Sequence, residues 1–268
     1  MAGKVLTVTS GKGGVGKTTV TANLGGALAL RGQKVVVIDA DIGLRNLDVM
    51  MGLENRIVYD LVDVIEGRCR LRQALVRDKR LSEFYLLPAA QTRDKTAVSP
   101  EDMVRVCDEL RESFDFLLVD SPAGIEQGFR VAVAPADMVL VVTNPEMAAV
   151  RDADRIIGLV EASEKGPVQL IINRLKPAMV RRGEMMDTAA VVELLAVELL
   201  GIIPDDEAII TATNTGRPVV FSDNTLSSRA FHNIARRLLG EDVPFLPLRE
   251  AGFFDRIKRF MRTEGEQR

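Results

Sequence analysis

Two lysines and a threonine set among glycines carry the clearest chemistry in this chain: Ser10-Gly11-Lys12-Gly13-Gly14-Val15-Gly16-Lys17-Thr18-Thr19. Gly11, Gly16, Lys17 and Thr18 fit the phosphate-loop pattern G-x-x-x-x-G-K-[ST]. Glycines permit the backbone angles that turn successive N–H groups toward one point, and a helix starting there adds the positive end of its dipole. The expected guest is an anion of several charges, held by Gly11, Lys12, Gly13, Gly14, Val15, Gly16, Lys17, Thr18 and Thr19. Lys17 would reach the terminal phosphates and Thr18 would put its hydroxyl on Mg2+. Lys12 is a second cation, able to neutralise charge that develops on phosphate oxygens during transfer.

Other polar residues sit where apolar runs stop. Val37-Ile38 leads into Asp39 and Asp41, two residues apart, so in an extended segment both carboxylates point the same way, toward one hydrated metal and one attacking water. Phe116-Leu117-Leu118-Val119 ends in Asp120, a Walker B-like carboxylate at the metal, followed by Ser121-Pro122-Ala123-Gly124. Gly124 can bring its N–H to the terminal phosphate, which makes this loop a sensor of phosphate loss. Ile171-Ile172 ends in Asn173-Arg174 and Ile203 in Pro204-Asp205-Asp206, so Asn173, Arg174, Pro204 and Asp206 are candidate contacts to a base, with ordinary strand-end capping the competing reading. The single histidine, His232, has no partner for a catalytic triad nearby.

The elements that must position these groups repeat one grammar. Apolar runs at Val5–Val8, Val35–Ile38, Tyr85–Leu87, Phe116–Val119, Met138–Thr143, Val168–Ile172 and Gly201–Ile203 read as strands, and most lack alternation, as in strands covered on both faces. Helical spacing falls between them, at Thr19–Arg31, Pro100–Ser113, Ala148–Glu161, Asp187–Leu199 and Leu226–Leu239. The expected fold is α/β: a mostly parallel twisted sheet with helices on both faces, and ligands beyond the carboxyl ends of the strands.

At 268 residues, 47% hydrophobic and 27% charged, the chain has the composition of a folded α/β domain. A net charge of -3 argues against a surface that coats nucleic acid. Cys69 and Cys107 form no C-x-x-C pair, which fits a reducing cytoplasm, and no apolar run approaches the roughly 20 residues needed to span a bilayer. Pro244 and Pro247 interrupt the chain after Asp242. Beyond them Phe253, Phe254, Ile257, Phe260 and Met261 fall on one helical stripe, with Arg256, Lys258, Arg259 and Arg262 outside it: the outline of a helix lying on an anionic membrane. We therefore divide the chain into a phosphate-loop domain at 1–242, a proline linker at 243–251 and an amphipathic tail at 252–268.

Lys12 directly after Gly11 makes the loop Lys-Gly-Gly-Val-Gly-Lys-Thr, which resembles the deviant Walker A loop of the MinD/ParA family of P-loop ATPases. With Gly43-Leu44-Arg45-Asn46-Leu47-Asp48, Gln91-Thr92-Arg93-Asp94-Lys95 and the amphipathic end, the resemblance to the MinD branch covers essentially the whole chain. It implies ATP rather than GTP, in keeping with the lack of an Asn-Lys-x-Asp signature at the candidate base contacts, and it implies a homodimer formed with ATP. Lys12 would then cross to the partner's nucleotide, Asp41 would position the hydrolytic water, and Lys12, Lys17 and Asp41 would be the catalytic residues, with Thr18, Asp39 and Asp120 on the metal side. The helix bearing Arg151, Asp152 and Asp154 would border the dimer and receive partner proteins: a MinC-like septation inhibitor and a MinE-like activator that stimulates hydrolysis and release. The protein is expected at the inner face of the cell membrane. Flagellar-placement ATPases of the FlhG type and DNA-segregation ATPases of the ParA type share the loop; the first carry an N-terminal extension missing here, and the second call for a basic DNA-binding surface.

Overall fold

The computed structural model describes residues 2–222 and 225–247. Among the described residues eight strands form one sheet: β1 (Lys4–Thr9), β2 (Val35–Asp39), β3 (Val76–Arg77), β4 (Phe84–Leu87), β5 (Phe116–Asp120), β6 (Met138–Thr143), β7 (Val168–Leu175) and β8 (Glu198–Pro204). Their order is β3-β4-β2-β5-β1-β6-β7-β8, parallel throughout except for the short antiparallel edge strand β3. Among the described residues eleven α-helices connect or flank them: α1 (Lys17–Ala29), α2 (Leu47–Met51), α3 (Leu61–Ile65), α4 (Leu71–Ala74), α5 (Pro100–Arg111), α6 (Gln127–Val133), α7 (Met147–Ala162), α8 (Pro177–Arg181), α9 (Thr188–Leu195), α10 (Glu207–Asn214) and α11 (Leu226–Leu238).

The continuous apolar runs become central strands because both faces are covered. Leu6, Leu118, Leu140 and Ile171 pack against α1, α2 and α11 on one face, while Leu117, Val139 and Leu170 meet α5, α6, α7 and α9 on the other. With β1 at the centre and its chain leaving toward β2 on one side, the crevice at the carboxyl ends opens beside the loop that follows β1.

Caps fix where the helices start. Ser99 accepts from the Asp102 N–H and Asp102 reaches back to Ser99, with Pro100 in the first turn of α5. Asp60 and Asp63 form the same box on α3, and Asp187 caps α9. One expected boundary moves: the helix proposed for Asp187–Leu199 stops at Leu195, because Ala196 takes φ 52 and the chain turns into β8, where Glu198 pairs with Gln169. That apolar run is strand from Glu198, not helix.

Residues 243–247, expected as the start of a linker, lie on the domain: Val243 is buried and its carbonyl accepts from Arg237 Nε, while the Arg237 guanidinium covers the Phe245 ring at 4.2 Å. The amphipathic tail, with Phe253, Phe254, Arg256, Ile257, Lys258, Arg259, Phe260 and Met261, lies outside the described residues. No helix among the described residues is long and apolar enough to cross a membrane.

Candidate nucleotide and metal site

The loop after β1 is shaped by two left-handed glycines, Gly14 at φ 79 and Gly16 at φ 101. A side chain at either would be strained, and a Cβ on Gly16 would stand 2.3 Å from Asn173 Nδ2. Ser10 Oγ donates to the Lys12 carbonyl at 2.8 Å, and Val20 N–H donates to Gly16 to start α1. The two lysines part company here: Lys17 is buried, whereas Lys12 is exposed. Burial pushes the Lys17 ammonium below its usual range, and the carboxylates Asp120 and Asp41 act against that shift.

Asp39 and Asp120 come together at the ends of β2 and β5, both buried. Thr21 Oγ1 donates to Asp120 Oδ1 at 3.1 Å, and the Thr18 hydroxyl also bonds this carboxylate. Asp39 accepts the Asp41 N–H at 3.0 Å and the Leu47 N–H at 3.2 Å. Burial first, and then mutual repulsion, raises Asp39 well above the carboxylate range; burial raises Asp120 too, against the pull of Thr18, Lys17 and Thr21. Two carboxylates held this close with too few counter-charges are a destabilised pair that a cation relieves. Thr18, Asp39 and Asp120 offer hard oxygen donors suited to Mg2+. Among the described residues no group of three His, Cys, Asp or Glu could hold a metal alone, so a bound Mg2+ would draw the rest of its oxygen ligands from water or from the nucleotide.

Gly124, at φ 93, donates its N–H to the Ser10 carbonyl at 3.3 Å, which ties the segment after β5 to the phosphate loop. Asp41, half-buried, is close enough to affect both Lys17 and Asp120. A cavity of about 380 Å3 runs from Gly14, Gly16, Lys17, Thr18 and Thr19 past Asn46, Val49 and Met50 to Arg174 and Thr213. Arg174, at φ 56, also opens onto a neighbouring cleft lined by Pro145, Met147, Lys176, Met179 and Asp205.

The remaining candidates separate. Asn173 is buried and spends its Nδ2 on the Val15 carbonyl at 2.7 Å, so it braces the loop, while its Oδ1 lacks a partner. Asp206 is an N-cap: Oδ1 accepts from Ala208, and Oδ2 accepts the N–H and hydroxyl of Ser227. Pro204 is buried at the end of β8 and lines neither cavity. Arg151 and Asp154 are exposed on α7, and Asp152 lies behind the loop, its carbonyl oxygen 2.3 Å from where a Gly11 Cβ would be. Asn46, Val49, Met50 and Thr213 line the cavity without a sequence assignment. Asn46 stood in the quoted Gly43–Asp48 stretch, but Thr213 on α10 had no motif to mark it.

Residues 6–219 match the model of the CobQ/CobB/MinD/ParA nucleotide binding domain. The septum site-determining protein MinD of Bacillus subtilis is 54% identical over 262 residues, covering 96% of this chain and 98% of that protein. A MinC:MinD cell division protein complex from Aquifex aeolicus matches at 50% identity and TM-score 0.84, over 90% of this chain and 97% of the matched chain. A septum site-determining protein MinD complexed with Mg-ADP, from Pyrococcus horikoshii, matches at 30% identity and TM-score 0.79, over 88% of this chain and 95% of that one.

Proposed function

The chain belongs to the CobQ/CobB/MinD/ParA nucleotide-binding family, in its MinD septum site-determining branch, and from that premise we propose that it is an ATP-gated dimer which hydrolyses ATP, carries a MinC-like septation inhibitor and leaves the membrane on turnover. It is an ATPase of the septum-placement class, and it binds nucleotide and Mg2+. The flagellar-placement and DNA-segregation readings are not favoured, since the relatives at about half identity over nearly the whole chain are septum-site proteins.

The observation that carries the dimer is the contrast between the loop lysines. Buried Lys17 serves the nucleotide of its own chain, and exposed Lys12 is free to serve another's. In the proposed reaction Gly11 to Thr19 hold the phosphates, with Lys17 at the terminal phosphate. Thr18, Asp39 and Asp120 would hold Mg2+, which supplies charge neutralisation at the phosphate oxygens. Asp41 orients the attacking water and accepts its proton, and Lys12 from the second copy stabilises charge on the leaving phosphate. Gly124, tied to Ser10, registers loss of the terminal phosphate and loosens the dimer. Arg174 and the adjoining cleft accept the adenine end.

Partner exchange falls to α7. Arg151 and Asp154 are exposed, and Asp152 abuts the phosphate loop, so a protein seated there would feel the nucleotide state; a MinC-like inhibitor and a MinE-like activator would compete for it. The tail at 252–268 supplies the lipid contact. One short amphipathic helix binds weakly, and two in a dimer bind firmly through effective concentration.

Sedimentation with anionic liposomes tests this reading. Pelleting in ATP but not ADP, lost when the chain ends at Ala251, supports it. Pelleting in neither state contradicts the membrane part and puts DNA binding next in line.

A further inference from the structure

We propose that Arg80 is a positioning residue for nucleotide retention, holding two walls of the nucleotide cavity at a fixed separation. This rests on the reading of that cavity as the nucleotide site.

Arg80 lies in the loop between β3 and β4, away from every motif of the sequence. It is anchored by Asp78, which is buried: Nε donates to Oδ1 at 3.0 Å and Nη2 to Oδ2 at 2.5 Å, the two-pronged pairing that fixes a guanidinium in one plane. The same plane lies over the Phe221 ring at 4.7 Å. Held this way, its outer N–H groups reach two carbonyls from different parts of the chain. Nη2 donates to Met51 at the end of α2 at 2.7 Å, and Nη1 donates to Gly216 just after α10 at 3.1 Å.

These two helices are the walls in question. Asn46, at the N-cap of α2, with Val49 and Met50 of that helix, lines the cavity from one side, and Thr213 of α10 lines it from the other. The other end of α2 is fixed at the metal side, where the Leu47 N–H donates to Asp39. Helix α2 is therefore a five-residue strut between a metal-side carboxylate and the Arg80 fork. Directly beneath the fork the backbones of Gly52 and Gly216 touch, both at positive φ, with no room for a Cβ: one on Gly52 would be 2.6 Å from the Gly216 carbonyl oxygen. The spacing between α2 and α10 is thus set by a guanidinium bridging two carbonyls across a glycine–glycine contact.

A lysine at this position keeps one cation for Asp78 but cannot bridge both carbonyls in one plane. Two variants test the proposal, Arg80→Lys and Gly216→Ala, the second forcing the walls apart with Arg80 intact. Asp60→Ala, which removes the α3 cap remote from the cavity, serves as a control for lost stability alone. The readouts are the release rate of fluorescent N-methylanthraniloyl-ADP from the full chain, the KM and kcat for ATP, and Tm. We expect both cavity variants to release the nucleotide about tenfold faster, as loss of one charge-assisted hydrogen bond predicts, with KM raised, kcat at saturation retained, and Asp60→Ala lowering Tm without changing release. Wild-type release rates in both cavity variants, or equally faster release in Asp60→Ala, would overturn the role of Arg80. Failure of the wild-type chain to bind the nucleotide at all would instead overturn the reading of the cavity, and the inference with it.

Discussion

Asp39 and Asp120 are register partners on β2 and β5, buried side by side, with the buried Lys17 ammonium pulling on Asp120. Each is raised above the ordinary carboxylate range, so the stability they allow is complete below that range and is lost as pH rises through the raised values. The nucleotide-free protein should therefore lose stability between acid and neutral pH, and Mg2+ with nucleotide should restore it. Asp120→Asn removes one charge while the hydroxyls of Thr18 and Thr21 can turn to suit the amide. We expect the free variant to gain on the order of 1–3 kcal/mol at about pH 8, to gain little only below the ordinary carboxylate range, and to lose stabilisation by Mg2+ and nucleotide. Thermal melts across pH, with and without Mg-ADP, check this.

The two loop lysines should fail differently. Lys17→Ala removes the buried cation facing the phosphates, and isothermal titration should show nucleotide affinity falling by more than about 100-fold. Lys12→Ala leaves the cavity lining unchanged, so ADP binding should stay within about twofold of wild type while turnover falls by at least tenfold, of the kind seen on removing a charge-stabilising finger. Equal loss of ADP binding in both variants would mean that Lys12 acts within its own site.

Asp41 separates binding from chemistry. It is half-buried beside Lys17 and Asp120, and its N–H is held by Asp39, which fixes its direction without burying it. Asp41→Ala should bind ATP with near-normal affinity and hydrolyse it at least about 100-fold more slowly, the usual span for a lost general base. Single-turnover hydrolysis with preloaded ATP measures this, and normal turnover would remove Asp41 from the mechanism.

Gly11 links the phosphate loop to α7. A Cβ there would meet the Asp152 carbonyl oxygen at 2.3 Å, and both sides of the contact are backbone, so one must move. Gly11→Ala should cost about 1–3 kcal/mol, as overpacking does, and weaken nucleotide binding as well. Denaturant melts and ADP titration check the two effects together.

Much of this was legible in the sequence. Two-sided burial turned the Val, Ile and Leu runs into a parallel sheet, and the glycine loop, Asp39 and Asp120 converge because all three stand at the carboxyl ends of the neighbouring central strands β1, β2 and β5. The rest depended on contacts between distant segments. Asp206 looked like a base contact because it follows a strand, yet the same position caps α10 and bonds Ser227, and spacing cannot separate a cap from a ligand. Asn173 offered a whole amide to a base, whereas its Nδ2 is spent on the Val15 carbonyl and only Oδ1 is left without a partner. The start of β8 was taken into a helix because apolar spacing across Val191–Leu199 suits either element until Ala196 turns the chain. Arg80 and Thr213 carry no local signal, since their roles arise only when β3, α2 and α10 meet.

The most direct test of the whole account is the molar mass of the full chain by size-exclusion chromatography with light scattering, in Mg-ATP and in Mg-ADP. An ATP-gated switch with an outward-facing Lys12 predicts a doubled mass in ATP and a monomer in ADP, with Lys17→Ala monomeric in both. The same mass in both nucleotides would contradict it.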